Sequence, residues 1–416
     1  MSFYTLSIAK RRAWLVEQGF LTSKEHALLT EQDPSSIEAV LDACSENVIG
    51  KMSLPLSIVN DFPFEDTCGP LVLSSEETSV VAAINNMAKW MRQYGHISTI
   101  VPENATWGQV FLPNVSDVSH FSLWFEEHQS MLLSYINTRC AARMYARGGG
   151  CSEVRYRVLD ASTIALDFLL DTVDAMGANA VNQVAAKLAE YLQEITPYTP
   201  CLAILSNHQP DGVVRCTCQI QNVPISLGRA IAFVSRLATL DTFRAVTHNK
   251  GIMNGVDALL LATGNDIRAA EASAHAYASH TGRYQPLSTW SFKRNTLTGS
   301  LVMPIPCGIV GGVTKVHPVA NLALKIMKIT TRSKLAGLAG AVGLLQNLAA
   351  LRALATEGIV PGHMRLHIDN LLHAQSVDVN VKEALRGKCY QHLRTHGSIA
   401  MCDVAHYHAE LQGTPS

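Results

Sequence analysis

The sequence predicts an α+β protein with more than one core, and three observations carry that reading. Strand-like pieces at Val154–Val158, Ile164–Val173 and Leu202–Leu205 surround one long amphipathic helix. A second helical pattern runs from Thr78 to Tyr94, with Val81, Ile84, Ala88 and Met91 recurring on one face. The chain is 416 residues long, more than a single hydrophobic core ordinarily serves.

The first stretch, up to about residue 45, reads as short helices, with Pro34 and Ser35 opening one of them. After the Thr78–Tyr94 helix the texture changes near Pro102, where Gly, Pro and Asn punctuate short strands such as Val110–Leu112. The helix of the strand–helix–strand unit starts at Asp174 and aligns Val181, Val184, Ala185, Leu188, Leu192 and Ile195. That unit is bounded near residues 104 and 208. Helix-rich sequence with glycine stretches around Gly251 and Gly308–Gly312 then returns to the first core. Leu335–Leu351 carries no charge, but it is shorter than the roughly 20 apolar residues a membrane span needs and holds Gln346 and Asn347. A buried helix is expected there. Beyond Pro361-Gly362 the chain is polar and rich in histidine.

The formal net charge of −1 gives no general nucleic-acid or membrane-surface binder. Anionic ligands must therefore meet local Lys and Arg clusters. The ten cysteines are scattered without a CxxC pair and are read as reduced thiols, mostly buried as small hydrophobes. The first residues lack the apolar core of a signal peptide, so a cytoplasmic protein is expected.

Several short runs could carry chemistry. Asp174-Ala175-Met176-Gly177-Ala178-Asn179 opens a helix with a glycine that would let phosphate approach free N–H groups; taken alone, a tight strand–helix turn with Asp174 near the cap is the preferred reading. No GxGxxG follows a strand, so the ordinary dinucleotide fingerprint is missing. Lys250, in His248-Asn249-Lys250-Gly251, is either a solvated turn lysine or an electrophile for an oxyanion. Asp266 follows an apolar run in a Gly264-Asn265 turn, where it could face a lysine. Glu76 and Glu77 precede a helix and favour its positive end. His363 is one histidine among 16. The tail histidines His392, His396, His406 and His408 lack an HExxH or cysteine pattern, and no metal site is expected.

At these same residues the chain resembles class II 3-hydroxy-3-methylglutaryl-CoA reductases. The motifs run in order: Glu46-Asn47-Val48-Ile49-Gly50, Glu76-Glu77, DAMGAN at Asp174–Asn179, RAVTHNKGIMN at Arg244–Asn254, Gly264-Asn265-Asp266, Gln346-Asn347 with Ala350, and Gly362-His363-Met364. The resemblance implies a large helix-rich substrate-binding domain (1–103 and 209–359), a small inserted α+β cofactor-binding domain (104–208) and a C-terminal flap (360–416). It implies a homodimer, in some members a hexamer, with Glu46 and Asn47 reaching substrate across the interface.

The implied reaction is a four-electron reduction of 3-hydroxy-3-methylglutaryl-CoA to mevalonate and coenzyme A. Lys250 would stabilise the oxyanion, Asp266 would keep the charges of Lys250 and Glu77 poised, and Glu77 would supply a proton. His363 would protonate the departing CoA thiolate. Ser79, Arg244 and Thr247 would hold the glutaryl end, and Asn254 and Asn207 would orient substrate and cofactor amides. Asp174, Met176, Gly177, Ala178 and Asn179 would bind the nicotinamide cofactor. Ala141 replaces the aspartate of NADH-preferring members and is flanked by Arg139 and Arg143, which predicts NADPH, with NADH as the alternative. Thr78 and Ser57 depart from the family's usual proline and glycine. Asp369 stands where eukaryotic members carry a regulatory serine. Arg11 and Arg12 are basic residues available to the CoA phosphates, which the resemblance does not assign. Two other readings are an enzyme working in reverse on mevalonate and CoA, and a non-catalytic dimeric relative.

Overall fold

The computed structural model describes residues 3–30, 40–43, 45–103, 105–356, 368, 371–372, 375, 379–397 and 399–412. The readings at Pro34, Ser35, Pro361, Gly362, His363, Met364 and Asp369 lie outside them. In chain order, α1 (Ile8–Glu17) and α2 (Ser23–Leu29) precede the hairpin β1 (Leu56–Phe64) and β2 (Thr67–Ser74), then α3 (Val80–Tyr94) and β3 (Gly95–Ile100). The middle third holds β4 (Ala105–Leu112), α4 (Val118–Tyr135), a π-helical turn (Ile136–Cys140), α5 (Ala142–Tyr145), β5 (Gly150–Val158), β6 (Ile164–Asp171), α6 (Ala178–Ile195) and β7 (Leu202–Leu205). There follow β8 (Val213–Ile220), α7 (Ile225–Leu240), α8 (Thr242–Ala262), α9 (Ile267–Ala278), β9 (Ser288–Lys293), β10 (Thr296–Pro304), α10 (Gly312–Val316), α11 (Pro318–Ile326) and α12 (Arg332–Ala355). Two tail helices, α13 (Val379–His396) and α14 (Met401–Gln412), close the chain.

The buried apolar residues fall into three clusters. The first draws on both sides of the middle third, from Leu15 to Ile97 and from Val214 to Leu351. The second is confined to Val110–Leu192, and the third to Ile368–Val404. Strand pairing explains how one stretch of chain can hold its own core. β3 and β8 are antiparallel neighbours, with Gly95 opposite Ile220 and Ile100 opposite Arg215. The chain therefore leaves the sheet β3-β8-β10-β9 and returns beside its exit, having built a second antiparallel sheet, β5-β6-β4-β7, in between. On one face of that second sheet lie α4 and α6, through Phe121, Phe125, Val181 and Leu188.

The charge-free run forms most of α12, whose residues from Leu335 to Leu348 are all buried. By length and composition α12 could cross a membrane; here it is the central helix of the first core. It crosses α8 closely because both helices place glycine at the crossing. A Cβ on Gly255 would stand 2.9 Å from Gln346 Cβ, and one on Gly343 would stand 2.9 Å from Val256. Each interior glycine costs about 1 kcal/mol of helix propensity relative to alanine, which the tight packing offsets.

Three local expectations change. The helix read as starting at Asp174 starts at Ala178, because Thr172 closes a turn on Ala175 (2.7 Å) and Gly177 takes φ +98°. Asp174 consequently does not cap it. The polar run His248–Gly251 is no turn; it lies inside α8, which Asp241 caps by accepting from Arg244 N at 3.0 Å. The α3 pattern is shifted by one, so that Val80 is buried and Val81 half-buried, while Ile84, Ala88 and Met91 are buried as expected.

Candidate active site

One face of α8 gathers the predicted substrate residues. Arg244, Thr247, Lys250 and Asn254 recur at spacings of three, three and four, which stacks them along a single side of the helix. Lys250 Nζ donates to Glu77 Oε2 at 2.6 Å, and Asn254 Nδ2 donates to Glu77 Oε1 at 3.3 Å. Both side chains of the ion pair are substantially exposed, 58% for Lys250 and 36% for Glu77. Such a pair contributes at most about 1 kcal/mol to stability, so its value lies in presenting a cation and a carboxylate together.

Glu77 is held by an unusual backbone. Its N–H donates to Ser75 Oγ at 3.0 Å, and two residues on Ser79 adopts the left-handed region at φ +77° without capping α3. For a residue that is neither glycine nor asparagine this conformation costs on the order of 1 kcal/mol or more, the kind of strain retained at functional positions. The Ser79 hydroxyl is left available to a ligand.

A cavity of about 1570 Å³ opens beside this cluster and reaches Thr78, Ser79, Gly264 and Asn265. Arg11, Arg12, Lys51, Lys89 and Arg92 line the same cavity. Five cations in one concave surface favour a polyanionic ligand, even though the chain as a whole is nearly neutral.

The other predicted residues divide. Ala350 faces the cluster, since its Cβ lies 3.9 Å from the position a Cβ on Gly251 would take. Asp266 does not join Lys250 and Glu77 in the chain. It caps α9, accepting from Arg268 N and Ala269 N, and pairs with Arg268 Nε at 3.1 Å. Its carboxyl lies below the usual aspartate range: burial pushes it up, but Arg268 and the helix N–H groups outweigh that. Glu46 and Asn47 are exposed and bond to nothing in the cluster among the described residues, while neighbouring Ile49 is fully exposed.

Asn347 is 1% exposed, with its Oδ1 accepting from Ser288 Oγ and Trp290 Nε1, both at 2.9 Å. It stands in the interior, holding α12 to β9, rather than on a ligand-facing surface. Gln346 is also buried, with its Oε1 unpartnered. Apolar neighbours from α8 and β10 enclose this end of α12, which sequence spacing does not reveal.

The same interior network takes in His248, whose Nε2 lies 2.7 Å from Ser288 Oγ. Because Ser288 donates onward to Asn347, His248 Nε2 carries the proton and donates to Ser288. Burial, helped by the Arg244 charge, pushes the imidazole from 6.5 down to about 4. A depressed histidine contributes stability that is full above its unfolded pKa and lost as pH falls through the folded one. Between about pH 6.5 and about pH 4 this should remove roughly 3 kcal/mol. Urea midpoints across that window should fall more steeply for the parent than for His248→Gln; parallel slopes would refute this account.

The inserted unit brings the Asp174–Asn179 turn to its seam with the first core. Asp174 Oδ1 accepts from Arg332 N at 2.8 Å, Asp174 O accepts from Ile309 N at 2.9 Å, and Ala175 pairs in parallel with Val310. Arg332, 2% exposed, donates to Pro102 O and Ile305 O, fastening the point where the chain enters the insertion. Sequence reasoning missed Arg332, and noted Gly308–Gly312 only as a glycine-rich stretch. The signal it could have used is the pair Arg332 and Lys334 just ahead of a charge-free run.

At the N-terminus of α6, Gly177 leaves the first N–H groups uncovered by any side-chain cap. Arg139 and Arg143 are exposed on the π-helical turn and α5 of the same unit, and neither meets a carboxylate among the described residues. The same segment leads to Gly149, packed against Asp171 O and Val173. Asn207 is exposed just beyond β7, whose Leu205 N–H donates to Asn182 Oδ1 on α6. An uncapped helix N-terminus and exposed arginines on one unit suit a phosphate-bearing cofactor.

A lysine–carboxylate centre beside a cationic cavity, with an uncapped helix N-terminus on an inserted unit, is an arrangement suited to an enzyme that takes phosphate-bearing ligands. Residues 7–368 match the hydroxymethylglutaryl-coenzyme A reductase family model. The chain is 38% identical to the 3-hydroxy-3-methylglutaryl-coenzyme A reductase of Archaeoglobus fulgidus, covering 89% of this chain and 85% of that one. It is 34% identical to a probable reductase of Borreliella burgdorferi, over 82% of this chain and 80% of the relative. Among solved structures, the class II reductase of Streptococcus pneumoniae bound to NADPH in open conformations superposes with TM-score 0.80 at 33% identity, covering 85% and 99% of the two chains. Another structure of the S. pneumoniae reductase covers 98% of this chain with TM-score 0.81 at 31% identity. The chain belongs to the hydroxymethylglutaryl-coenzyme A reductase family, in its class II form.

Proposed function

We propose that this enzyme reduces 3-hydroxy-3-methylglutaryl-CoA to mevalonate and coenzyme A, consuming two NADPH. The observation that carries the reading is the Lys250–Glu77–Asn254 cluster beside the cationic cavity, whose lining includes Thr78 next to Glu77. The cavity would take the CoA moiety, with Arg11 and Arg12 available to its phosphates. Ser79, Arg244 and Thr247 would hold the carboxylate-bearing end, and Gln346 and Ala350 would bound the site from α12.

The cofactor, when bound, supplies the hydride. The chain's own residues do the rest. Lys250 offers a compact positive charge to the carbonyl oxygen as it becomes an oxyanion. Glu77, already within 2.6 Å of that ammonium, is placed to deliver a proton to the same oxygen. Asn254 fixes the other oxygen of Glu77. Asp266, engaged with Arg268 in the chain, remains the proposed third charge, and His363 the proposed acid for the CoA thiolate. Asp174–Asn179 and Asn207 would bind the cofactor, with its pyrophosphate against the α6 N-terminus.

The exposed Glu46-Asn47 segment and bare Ile49 support a homodimer in which this loop completes the partner's site; a hexamer of such dimers and a cytoplasmic location belong to the same proposal. The assay is loss of reduced-nicotinamide absorbance with the thioester substrate. Two cofactors oxidised per CoA released supports the reading, and no oxidation by the folded dimer refutes it.

Arg139 and Arg143 support NADPH over NADH, since a guanidinium pairs with the 2′-phosphate that only NADPH carries. Changing both to alanine should raise the KM for NADPH about tenfold, the equivalent of 1.4 kcal/mol, and leave that for NADH nearly unchanged. A parent enzyme with the lower KM for NADH would overturn this.

A further inference from the structure

The face of α8 that carries Lys250 and Asn254 continues to Asp257, a carboxylate inside the apolar run Val256–Thr263. Asp257 lies within hydrogen-bonding reach of Glu271 on α9, and its Oδ1 is buried with no donor to it among the described residues. From Glu271 the chain of polar groups continues. Glu271 Oε2 lies 2.7 Å from His275 Nε2, and His275 Nδ1 lies 2.7 Å from the Tyr284 hydroxyl. Tyr284 accepts from Asn249 Nδ2 at 3.1 Å, which returns the chain to the residue beside Lys250. The His275 side chain is 40% exposed and opens the outer end to solvent.

We propose that Asp257 and Glu271 share one proton behind the Lys250–Glu77 pair and that His275 refills it from solvent, making a proton relay for the active site. This rests on the reductase reading above.

Two close carboxylates cannot both ionise: at 4 Å and an effective dielectric of 20 their repulsion is about 4 kcal/mol. The charged groups facing Asp257 are Glu271 from α9, Glu76 from the loop before α3 and Lys250 from its own helix. Burial first, then the hydrogen bond and charge of Glu271 and the charge of Glu76, push Asp257 up to about 8 against the opposing pull of Lys250. A purely structural staple between α8 and α9 is poorly served by such a pair, since apolar side chains of similar volume would hold as well.

Reducing a thioester to an alcohol takes up two protons besides two hydrides. On the reading above, His363 gives one to the thiolate and Glu77 gives the other to the alcohol oxygen; a proton lent to the first oxyanion returns when the hemithioacetal collapses. After giving its proton to the alcohol oxygen, Glu77 recovers one from the shared pair before the next turnover. The pair, left with both carboxylates charged, takes a proton from His275, and His275 takes one from water. No group changes oxidation state.

The test uses the full-length enzyme and the variants Asp257→Asn, Glu271→Gln and His275→Gln. Asparagine copies the shape and charge of the protonated acid, so a structural role survives the change and proton delivery does not. For Asp257→Asn, kcat should fall about tenfold with both KM values within twofold, and the decline of the parent's kcat through about pH 8 should vanish. His275→Gln should lose kcat and regain it in imidazole buffer. Melting temperatures read the shared proton without any assay. An acid with a raised folded pKa contributes stability that is full below its unfolded value near pH 4 and lost as pH rises to about 8. Asp257→Asn should flatten that slope. An unchanged pH–kcat profile in Asp257→Asn, no rescue by imidazole, or an unchanged melting slope overturns the relay. Lys250→Ala run in parallel separates the two readings: a parent without reductase activity refutes the function, while an active parent with unaffected relay variants refutes only the relay.

Discussion

Lys250→Ala is expected to lower kcat about a thousandfold, equivalent to about 4 kcal/mol of lost oxyanion stabilisation, while the protein stays folded. The two halves of this expectation have separate grounds. The ammonium is the only cation bonded to Glu77 among the described residues; Asn254 is neutral, and the other cation on this face of α8, Arg244, stands six residues away with no bond to Glu77. Its contribution to the fold is small because the pair is largely exposed, and alanine suits a helix interior at least as well as lysine. The melting temperature should therefore move by no more than about two degrees. Binding of the thioester, followed calorimetrically, should persist, since the cationic cavity is untouched. A variant that keeps a tenth or more of parental kcat would remove Lys250 from the oxyanion role. One that loses binding and kcat equally would make it a ground-state ligand instead.

The second large effect is expected far from the lysine. A Cβ at Gly308 would stand 2.3 Å from Met176 N, 2.9 Å from Ala175 C and 3.1 Å from Asp174 O. All three are backbone atoms of the turn ahead of α6, and Gly308 N itself donates to Asn265 Oδ1 at 2.7 Å. Neither side can yield by rotating a side chain, so in Gly308→Ala the turn must shift by about an ångström. Misplacement of that size costs about a hundredfold in a positioned reaction. The loss should appear in kcat/KM for the nicotinamide cofactor, with its dissociation constant raised and that of the thioester unchanged. Unaltered cofactor binding in a folded Gly308→Ala would mean that the turn is not where the cofactor is held.

How much of this could be read in the chain differs from residue to residue. The α6 face was legible because five of its apolar positions, Val181, Val184, Ala185, Leu188 and Leu192, are buried as the helical period requires. The start of α6 was not, because a positive φ at Gly177 and the closure of Thr172 on Ala175 depend on what docks against the turn. Lys250 stands out as a residue type, yet the sequence leaves a solvated turn open as its setting: Gly251 and the polar neighbours suggest a break, and packing against α12 overrides them. Asn347 is read as a substrate-binding residue only through the family resemblance, and in the structure Ser288 and Trp290 satisfy it in the interior. Asp257 was passed over inside an apolar run. A lone carboxylate at that spacing from Lys250 was the available signal.

The chain by itself determined the α+β class, the faces of the long helices, the buried character of Leu335–Leu351, and the presence of Glu77, Lys250 and a glycine-bearing turn at Asp174–Asn179. Periodicity and side-chain chemistry are local properties, and both can be counted along a sequence. Only the tertiary structure decided that Glu77 and Lys250, 173 residues apart, meet at 2.6 Å. It alone brought Gly308 against Met176, and Glu271 within reach of Asp257. Those pairings depend on which apolar faces exclude one another's water across long loops, a collective outcome of packing that no short window of residues encodes.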